Sequence, residues 1–213
     1  LQWLDLVALG TVCDVVPLTG LNRVLVAQGL KIAAHRNNPG LAALSDLADV
    51  DQRLGAYHLG FVFGPRLNAG GRVGNSDLGA KLLATDDMDE AQAIAAKLND
   101  YNLERREIEA AIQTQAIELA EAKGAVQLPL VFLADPRWHQ GVIGIVASRL
   151  KDRFHRPTIV VAMDGEEGKG SGRSIPGVDL GAAITAAKQA GLLLAGGGHA
   201  MAAGVTVAPD KLA

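Results

Sequence analysis

Short polar segments in the second half of the chain carry residue types that bind phosphate groups. Ser171, Arg173 and Ser174 lie within five residues of one another, in a segment rich in glycine. A guanidinium binds phosphate through paired charge-assisted hydrogen bonds, each contributing about 1.5–3 kcal/mol. A surface arginine without a ligand is the ordinary alternative. The segment alone is a weak signal, but it predicts a phosphorylated ligand when combined with two neighbouring segments.

The first neighbouring segment contains Gly196, Gly197 and Gly198 directly before His199. Glycines let backbone amides approach a ligand closely. We expect them to open a short helix whose N-terminal amides bind an anion beside the histidine. A glycine-rich turn with a structural histidine is the alternative. The second segment places His139 just before a predicted helix over residues 142–154, with glycines in its first turn.

Asp14 is the candidate for metal chemistry in the first half of the chain. It lies among β-branched and apolar residues in a strand-like segment over residues 10–18, which contains Pro17. A carboxylate buried among hydrophobic residues is costly unless it is paired, hydrogen-bonded or bound to a metal. Both a metal ligand and a turn aspartate that caps a backbone amide fit this pattern.

The elements that position these residues divide the chain into three parts. Residues 1–84 mix short apolar runs with turns, including a predicted helix over 22–35 and a turn-rich segment over 61–72. Residues 85–124 contain no proline and no glycine before Gly124, and their apolar positions recur near a helical period. This predicts a connecting helix about 55 Å long. Asn99, Asn102, Arg105 and Arg106 interrupt its middle, and a solvated stretch between two packed ends is one of the interpretations that fit them.

Residues 125–213 alternate predicted strands with predicted helices, which favours a second α/β domain. The strands are expected at 128–134, 158–162 and 205–207, and the helices at 142–154 and 180–190. The fold class expected for the whole chain is therefore α/β, with two bodies joined by a long helix.

Composition limits the remaining possibilities. The 213 residues are 49% hydrophobic, with a formal net charge of −3, so any contact with nucleic acid must be a local patch. One cysteine, Cys13, excludes an internal disulfide framework and suggests a reducing, cytoplasmic setting. No apolar run approaches the roughly 20 residues of a membrane span. The chain begins at Leu1 without a methionine, from which we expect a piece of a longer protein.

Several of these segments together resemble one known family. The sequence GTVCDVVPL at 10–18 is similar to the last metal-binding motif of the DHH phosphoesterase superfamily, with cysteine where that family often has alanine. Residues 139–149, 171–174 and 197–204 resemble the three motifs of the DHH-associated domain. Residues 64–72 and 98–106 resemble segments typical of RecJ-type exonucleases. The resemblance covers essentially the whole chain and is specific, because its motifs occur in order.

The resemblance implies a 5′→3′ exonuclease that hydrolyses single-stranded DNA with Mn²⁺ or Mg²⁺ in recombination and repair, where other repair proteins would be partners. It assigns Asp14 to a two-metal site as a catalytic ligand, and His199 to a catalytic position beside the scissile phosphate. By the same likeness, Ser171 and Arg173 would bind the terminal 5′ phosphate or its neighbour. Further phosphate-binding candidates are Asn68, Arg72, His139, Gly197 and Gly198.

One departure from the family is the absence of its Asp-His-His triplet and its earlier aspartate motifs from this sequence. We expect these motifs upstream of Leu1 and expect the chain alone to be inactive. Two alternatives stay open: a phosphodiesterase of the same superfamily acting on oligonucleotides or cyclic dinucleotides, and a non-catalytic module that binds single-stranded nucleic acid.

Overall fold

A computed structural model describes residues 3–50 and 53–212. Contacts divide the chain into an N-terminal unit, Leu1–Arg105, and a C-terminal unit, Arg106–Ala213. The 35-residue helix Met88–Ala122, numbered α6 below, runs through the point of division. The predicted long helix is therefore confirmed, whereas the domain boundaries placed at residues 84 and 124 stay a prediction.

The N-terminal unit is built from helices throughout its described residues. They are α1 (Leu4–Cys13), α2 (Gly20–Ala33), α3 (Pro39–Leu47), a π-helical turn (His58–Phe63), α4 (Gly64–Val73), α5 (Leu78–Ala84) and the first part of α6. Two local predictions are wrong here. The strand-like segment at 10–18 is the end of a helix followed by a turn, and the turn-rich segment at 61–72 is helical.

A hydrophobic cluster packs these helices together. Its buried members come from every helix except α4, whose Leu67 is partly buried against the cluster, and they include Ala8, Leu9, Leu44, Leu59, Phe63, Leu82 and Leu98. Helices α1 and α2 cross closely because Gly29 lacks a side chain: a Cβ there would lie 2.0 Å from the Leu4 carbonyl oxygen. This close approach packs the first half of α1 directly against α2.

The polar middle of α6 differs from the expectation of a solvated stretch. Asn102 is buried, and its side-chain oxygen accepts a hydrogen bond from Arg105 at 2.8 Å. Asn99 accepts one from Arg66 of α4 at 3.0 Å. These polar residues serve as contacts within the N-terminal unit, because a buried amide must be hydrogen-bonded to avoid a desolvation cost.

The C-terminal unit is a five-stranded mixed sheet with helices between the strands. The strands are β1 (Val131–Asp135), β2 (Thr158–Asp164), β3 (Glu167–Arg173), β4 (Ala195–His199) and β5 (Ala202–Val207), in the spatial order β1-β2-β3-β5-β4. Strands β1 and β2 are parallel and joined through α7 (Ile143–Phe154); the other pairs are antiparallel. The predicted α/β fold class is confirmed.

The two faces of this sheet are covered differently. Helix α8 (Leu180–Gln189) packs with Ile159, Val161, Ala203 and Val205 on one face, where they form a hydrophobic cluster. Helix α7 packs on β2 and β3, close to the side chains of Ser171 and Arg173. Because side chains alternate along a strand, Ser171 and Arg173 point away from the cluster under α8.

Candidate functional site

The side chain of Arg173 is held in place at the end of β3. One terminal nitrogen donates hydrogen bonds to the Ser171 hydroxyl at 3.0 Å and to the Gly172 carbonyl oxygen at 2.8 Å. Gly144, in the first turn of α7, provides the space beside them: a Cβ there would lie 3.0 Å from Ser171 Oγ and 3.2 Å from Arg173 Nη2. The guanidinium therefore lies at the N-terminal end of a helix, where the peptide dipoles also favour an anion.

The strand register places His199 on the same face as Arg173. Arg173 pairs with Ala202 of β5, and Ala202 pairs with His199 of β4. Residues opposite one another on paired strands share a face, and neighbouring strands lie about 4.8 Å apart, so Arg173 and His199 are separated by about 10 Å across Ala202. His199 is exposed.

A second row on this face begins at Ser171. It pairs with Gly204, which pairs with Gly197. The six residues of the two rows are called the open sheet face below: Ser171, Arg173, Ala202, Gly204, Gly197 and His199. Four of them were predicted as site residues from the sequence, and the two that join them are small residues without polar side-chain atoms.

The glycine-rich segment before His199 is a strand, so the helix predicted to begin there does not exist. Its backbone pairs with β5, from Ala195 opposite Thr206 to His199 opposite Ala202. Because β4 is an edge strand, this ladder engages only those of its backbone groups that face β5. The neighbouring helix N-terminus is instead that of α7, which reaches the open sheet face through Gly144.

Gly197 and Gly198 have different surroundings although they are adjacent. No atom lies within 4 Å of a Cβ built at Gly197, whereas one at Gly198 would lie 2.3 Å from the Ala202 carbonyl oxygen. Gly198 lies opposite Ala203, on the face covered by α8. Its absent side chain therefore serves close packing, and Gly197 is the one that contributes to the open sheet face.

His139 lies in the turn that leads into α7. It is exposed, and its Nδ1 accepts a hydrogen bond from the Gly141 amide at 3.1 Å. The neutral ring must therefore carry its proton on Nε2, because a nitrogen that accepts a bond cannot donate one. The structure places this histidine near the start of the helix that also supplies Gly144.

Asp14 ends α1 and is exposed, so the expectation of a carboxylate buried in a strand is wrong. The Val15 amide bonds to the Val12 carbonyl and the Val16 amide to the Thr11 carbonyl, both at 3.1 Å, which is a Schellman arrangement. Val15 takes φ +55° there, a region that a β-branched residue rarely adopts and that costs about 1–3 kcal/mol.

The charge of Asp14 is also placed unfavourably for stability. The C-terminal end of a helix carries partial negative charge, so a carboxylate there is repelled. Two locally unfavourable features are therefore adjacent at this helix end: the carboxylate of Asp14 and the left-handed backbone of Val15. Such strain is typical of functional positions, where stability is lost in favour of chemistry.

Asn68 is brought toward the same helix end. A cleft of about 310 Å³ in the N-terminal unit is lined by residues of α1, α4 and α5, among them Gly10, Cys13 and Asn68. The Cys13 thiol donates to the Leu59 carbonyl oxygen at 3.4 Å, and burial raises the pKa of this thiol. The Cys13 thiol is therefore protonated at neutral pH.

Arg72 lies in the last turn of α4 and is exposed.

The described residues do not form a metal centre by themselves. Across 3–50 and 53–212 the structure contains no group of three or more His, Cys, Asp or Glu side chains placed to hold an ion. Asp14 can supply one hard oxygen ligand, of the kind that Mn²⁺ and Mg²⁺ prefer. A two-metal site needs more ligands than these residues offer.

None of the helices in the described part is long and apolar enough to cross a membrane.

Two structural residues were missed from the sequence. Arg66 bonds to Asn99 at 3.0 Å and to the Val62 carbonyl oxygen at 2.8 Å, which joins α4 to α6. The ring of Tyr101 lies where a side chain at Gly74 would be, 2.3 Å from its Cβ position. The sequence did contain a signal for the first of these, because the bond from Arg66 to Asn99 joins the two segments at 64–72 and 98–106 that the resemblance singled out.

Comparison with known proteins agrees with the motifs. Residues 125–213 match the model of the DHHA1 domain. The chain is 48% identical to the single-stranded-DNA-specific exonuclease RecJ of Dickeya dadantii and 47% identical to that of Escherichia coli K12, covering 99% of this chain and 38% of each relative. It therefore spans less than two fifths of the length of these curated relatives.

Solved structures give the same result for the fold. RecJ from Thermus thermophilus in complex with Mn²⁺ superposes with a TM-score of 0.87 at 36% identity, over 99% of this chain and 31% of that one. The Mg²⁺ complex gives a TM-score of 0.85 at 34% identity, with coverage of 99% and 32%. The resemblance to RecJ-type exonucleases is confirmed.

Proposed function

We propose that this chain, which follows the RecJ exonucleases in sequence and fold along 99% of its length, is the DNA-binding part of such an enzyme. The complete protein would hydrolyse phosphodiester bonds of single-stranded DNA in the 5′→3′ direction, with Mn²⁺ or Mg²⁺ as cofactor. Its biological setting would be recombination and repair. The cytoplasmic location and protein partners expected from the sequence stay predictions.

The observation that carries the proposal is the open sheet face. Ser171 and Arg173 are fixed by a hydrogen bond at 3.0 Å beside the first turn of α7, and His199 lies on the same face two strands away. A guanidinium beside a helix N-terminus is suited to bind a phosphate, because both attract a compact anion. Small residues between these groups leave room for a strand to lie on the sheet.

The residue roles that we propose come from the family resemblance, and the placement of Ser171, Arg173 and His199 on one face supports theirs. Ser171 and Arg173 bind the 5′-terminal phosphate or its neighbour, and His199 contacts the next phosphate, which is the one hydrolysed. Gly197 has no side chain and so leaves space for the DNA strand between Ser171 and His199. His139 provides a further phosphate contact from the turn before α7. In the N-terminal unit Asp14 binds a divalent ion, with Asn68 and Arg72 as further phosphate contacts. A bound pair of ions would activate water and stabilise the leaving oxygen.

Binding measurements on the purified chain test this function. Fluorescence anisotropy should show tighter binding of a 5′-phosphorylated single strand than of the same strand with a 5′ hydroxyl, and weaker binding of a duplex. Equal affinity for the two strands would contradict the assignment of Ser171 and Arg173 to the 5′ phosphate.

Nuclease assays on the full-length protein separate the proposal from its enzyme alternative. We expect faster hydrolysis of long single strands than of dinucleotides or cyclic dinucleotides. A preference for dinucleotides would indicate a phosphodiesterase of the same superfamily instead. Stable binding without hydrolysis by the full-length protein, in Mn²⁺ or Mg²⁺, would indicate a non-catalytic module.

A further inference from the structure

Two aromatic side chains stack on each other at the surface of the N-terminal unit. Tyr57 is 66% exposed and Phe61 is 73% exposed. Their ring centroids are 5.4 Å apart, with 25° between the ring planes, and His58 meets Tyr57 edge-on at 5.8 Å. Tyr57 and Phe61, called the aromatic pair below, are a quarter of the eight Phe, Tyr and Trp residues of the chain. A single exposed aromatic residue is ordinary, but a stacked pair is a platform for another flat ring.

The sequence around the aromatic pair has a charge opposite to that of the chain. Residues 52–76, which Asp51 and Asp77 flank, contain three arginines, Arg53, Arg66 and Arg72, and neither Asp, Glu nor Lys, so this segment carries a formal charge of +3 within a chain of −3. An apolar protein partner needs no such charge. Aromatic rings combined with a local positive charge are typical of surfaces that bind single-stranded nucleic acid, where bases stack and phosphates are neutralised.

The aromatic pair lies on the segment that packs against the end of α1. Between the two residues, the Leu59 carbonyl oxygen accepts from the Cys13 thiol at 3.4 Å. A Cβ at Gly60 would lie 3.2 Å from Val12 Cγ1, and one at Gly64 would lie 2.8 Å from Cys13 Sγ. These contacts fix the aromatic segment against the last turn before Asp14, within one unit of the structure. Part of the segment is a π-helical turn, a local distortion frequent at functional sites.

We propose that Tyr57 and Phe61 form a stacking surface for nucleobases of a single DNA strand, beside the helix end that carries Asp14. The inference rests on the proposed function and extends it, because the open sheet face accounts for phosphates alone. Stacking is tolerant of sequence, since every base has an aromatic face. The aromatic pair would therefore hold the strand through its bases whatever its sequence.

The test compares two strands that differ only in their bases. One is a 5′-phosphorylated oligothymidylate of twelve nucleotides, and the other has the same phosphates with abasic residues in place of thymidine. Removing a stacked aromatic residue by alanine substitution lowers affinity by about 5-fold to 150-fold. We expect losses in this range for Tyr57→Ala and Phe61→Ala on oligothymidylate, and no loss on the abasic strand.

Three further variants serve as controls. Leu21→Ala removes an apolar side chain that is 70% exposed on α2 and should leave both affinities unchanged. Phe61→Trp keeps an aromatic surface and should retain binding. Arg173→Ala should weaken both strands equally, because both carry the same phosphates.

Any result other than a loss confined to oligothymidylate overturns the inference, and the control variants show why the expected loss did not occur. Equal losses on both strands would indicate a damaged fold or an electrostatic effect. Unchanged binding by the alanine variants, while Arg173→Ala still weakens it, would reject the aromatic pair and leave the proposed function intact. Unchanged DNA binding with altered sedimentation would assign the pair to a protein contact. Failure of the unsubstituted chain to bind either strand would reject both proposals.

Discussion

The two units carry their candidate residues in different ways. In the C-terminal unit the sheet register alone places Ser171, Arg173, Gly197 and His199 on one face. In the N-terminal unit Asp14 stands at the end of a helix, and in the described residues it belongs to no group of three or more His, Cys, Asp or Glu side chains placed to hold an ion. A site built on paired strands is completed by backbone hydrogen bonds within its own unit. A metal ligand on a helix end depends on ligands from elsewhere.

The largest expected effect concerns the glycines of β4. A methyl group at Gly198 would lie 2.3 Å from the Ala202 carbonyl oxygen, so Gly198→Ala must separate β4 from β5. We expect a loss of about 3 kcal/mol in the free energy of unfolding, measured by urea denaturation. Gly197→Ala, whose methyl group meets no atom within 4 Å, should stay within about 0.5 kcal/mol of the unsubstituted protein. Equal losses would contradict the division of the two glycines between opposite faces.

The next effect separates a fixed arginine from a paired lysine on the same strand. Lys169 is bonded to Glu167 at 2.6 Å, and both side chains are nearly half exposed. Arg173→Ala should weaken binding of a 5′-phosphorylated single strand by about 10-fold to 150-fold, the value of one or two charge-assisted bonds. Lys169→Ala should weaken it by less than about 5-fold. Equal losses in fluorescence anisotropy would reject a specific phosphate contact at Arg173.

A smaller effect tests the role of α7 in positioning the guanidinium. The methyl group of Gly144→Ala would lie 3.0 Å from Ser171 Oγ and 3.2 Å from Arg173 Nη2, so both must move by a few tenths of an ångström. We expect about a 5-fold loss of affinity, since overpacking of this kind costs about 1 kcal/mol. Combined with Arg173→Ala, the glycine substitution should have no further effect on binding. Full additivity would show that the two residues act independently.

The smallest effect belongs to the N-terminal unit. Asp14→Asn removes a negative charge from the C-terminal end of α1 and should raise the free energy of unfolding by about 0.3–1 kcal/mol. Thermal denaturation at low ionic strength measures it, and added salt should reduce the gain. The same variant should bind single-stranded DNA as the unsubstituted chain does in the presence of EDTA. A loss of stability would contradict the repulsion assigned to this helix end.

Regular elements were predictable where local sequence and packing agree. The periodic apolar residues of α6, α7 and α8 and the β-branched run of β2 indicate their structures directly. The segment at 10–18 failed for the opposite reason: Val15 and Val16 favour a strand, but the chain closes a helix there with a valine in the left-handed region. Tertiary packing of α1 overrides that preference.

Glycine-rich segments were the other source of error. Glycine has little preference for strands, so the pairing of β4 with β5 cannot be detected without the partner strand. In α4, Gly64 and Pro65 resemble a turn, yet proline in the first turn is compatible with a helix. The candidate residues were singled out from the sequence because they belong to motifs that occur in a specific order. The strand register that groups four of them on one face could not be predicted, because a register is a property of the folded sheet.

The small residues of the open sheet face have a consequence for selectivity. Ala202, Gly204 and Gly197 carry no side-chain hydrogen-bond donor or acceptor. Bases lying over these three residues would meet no side-chain group able to distinguish one base edge from another, since such discrimination depends on hydrogen bonds to those edges. The middle of the open sheet face would therefore accept adenine, cytosine, guanine and thymine alike.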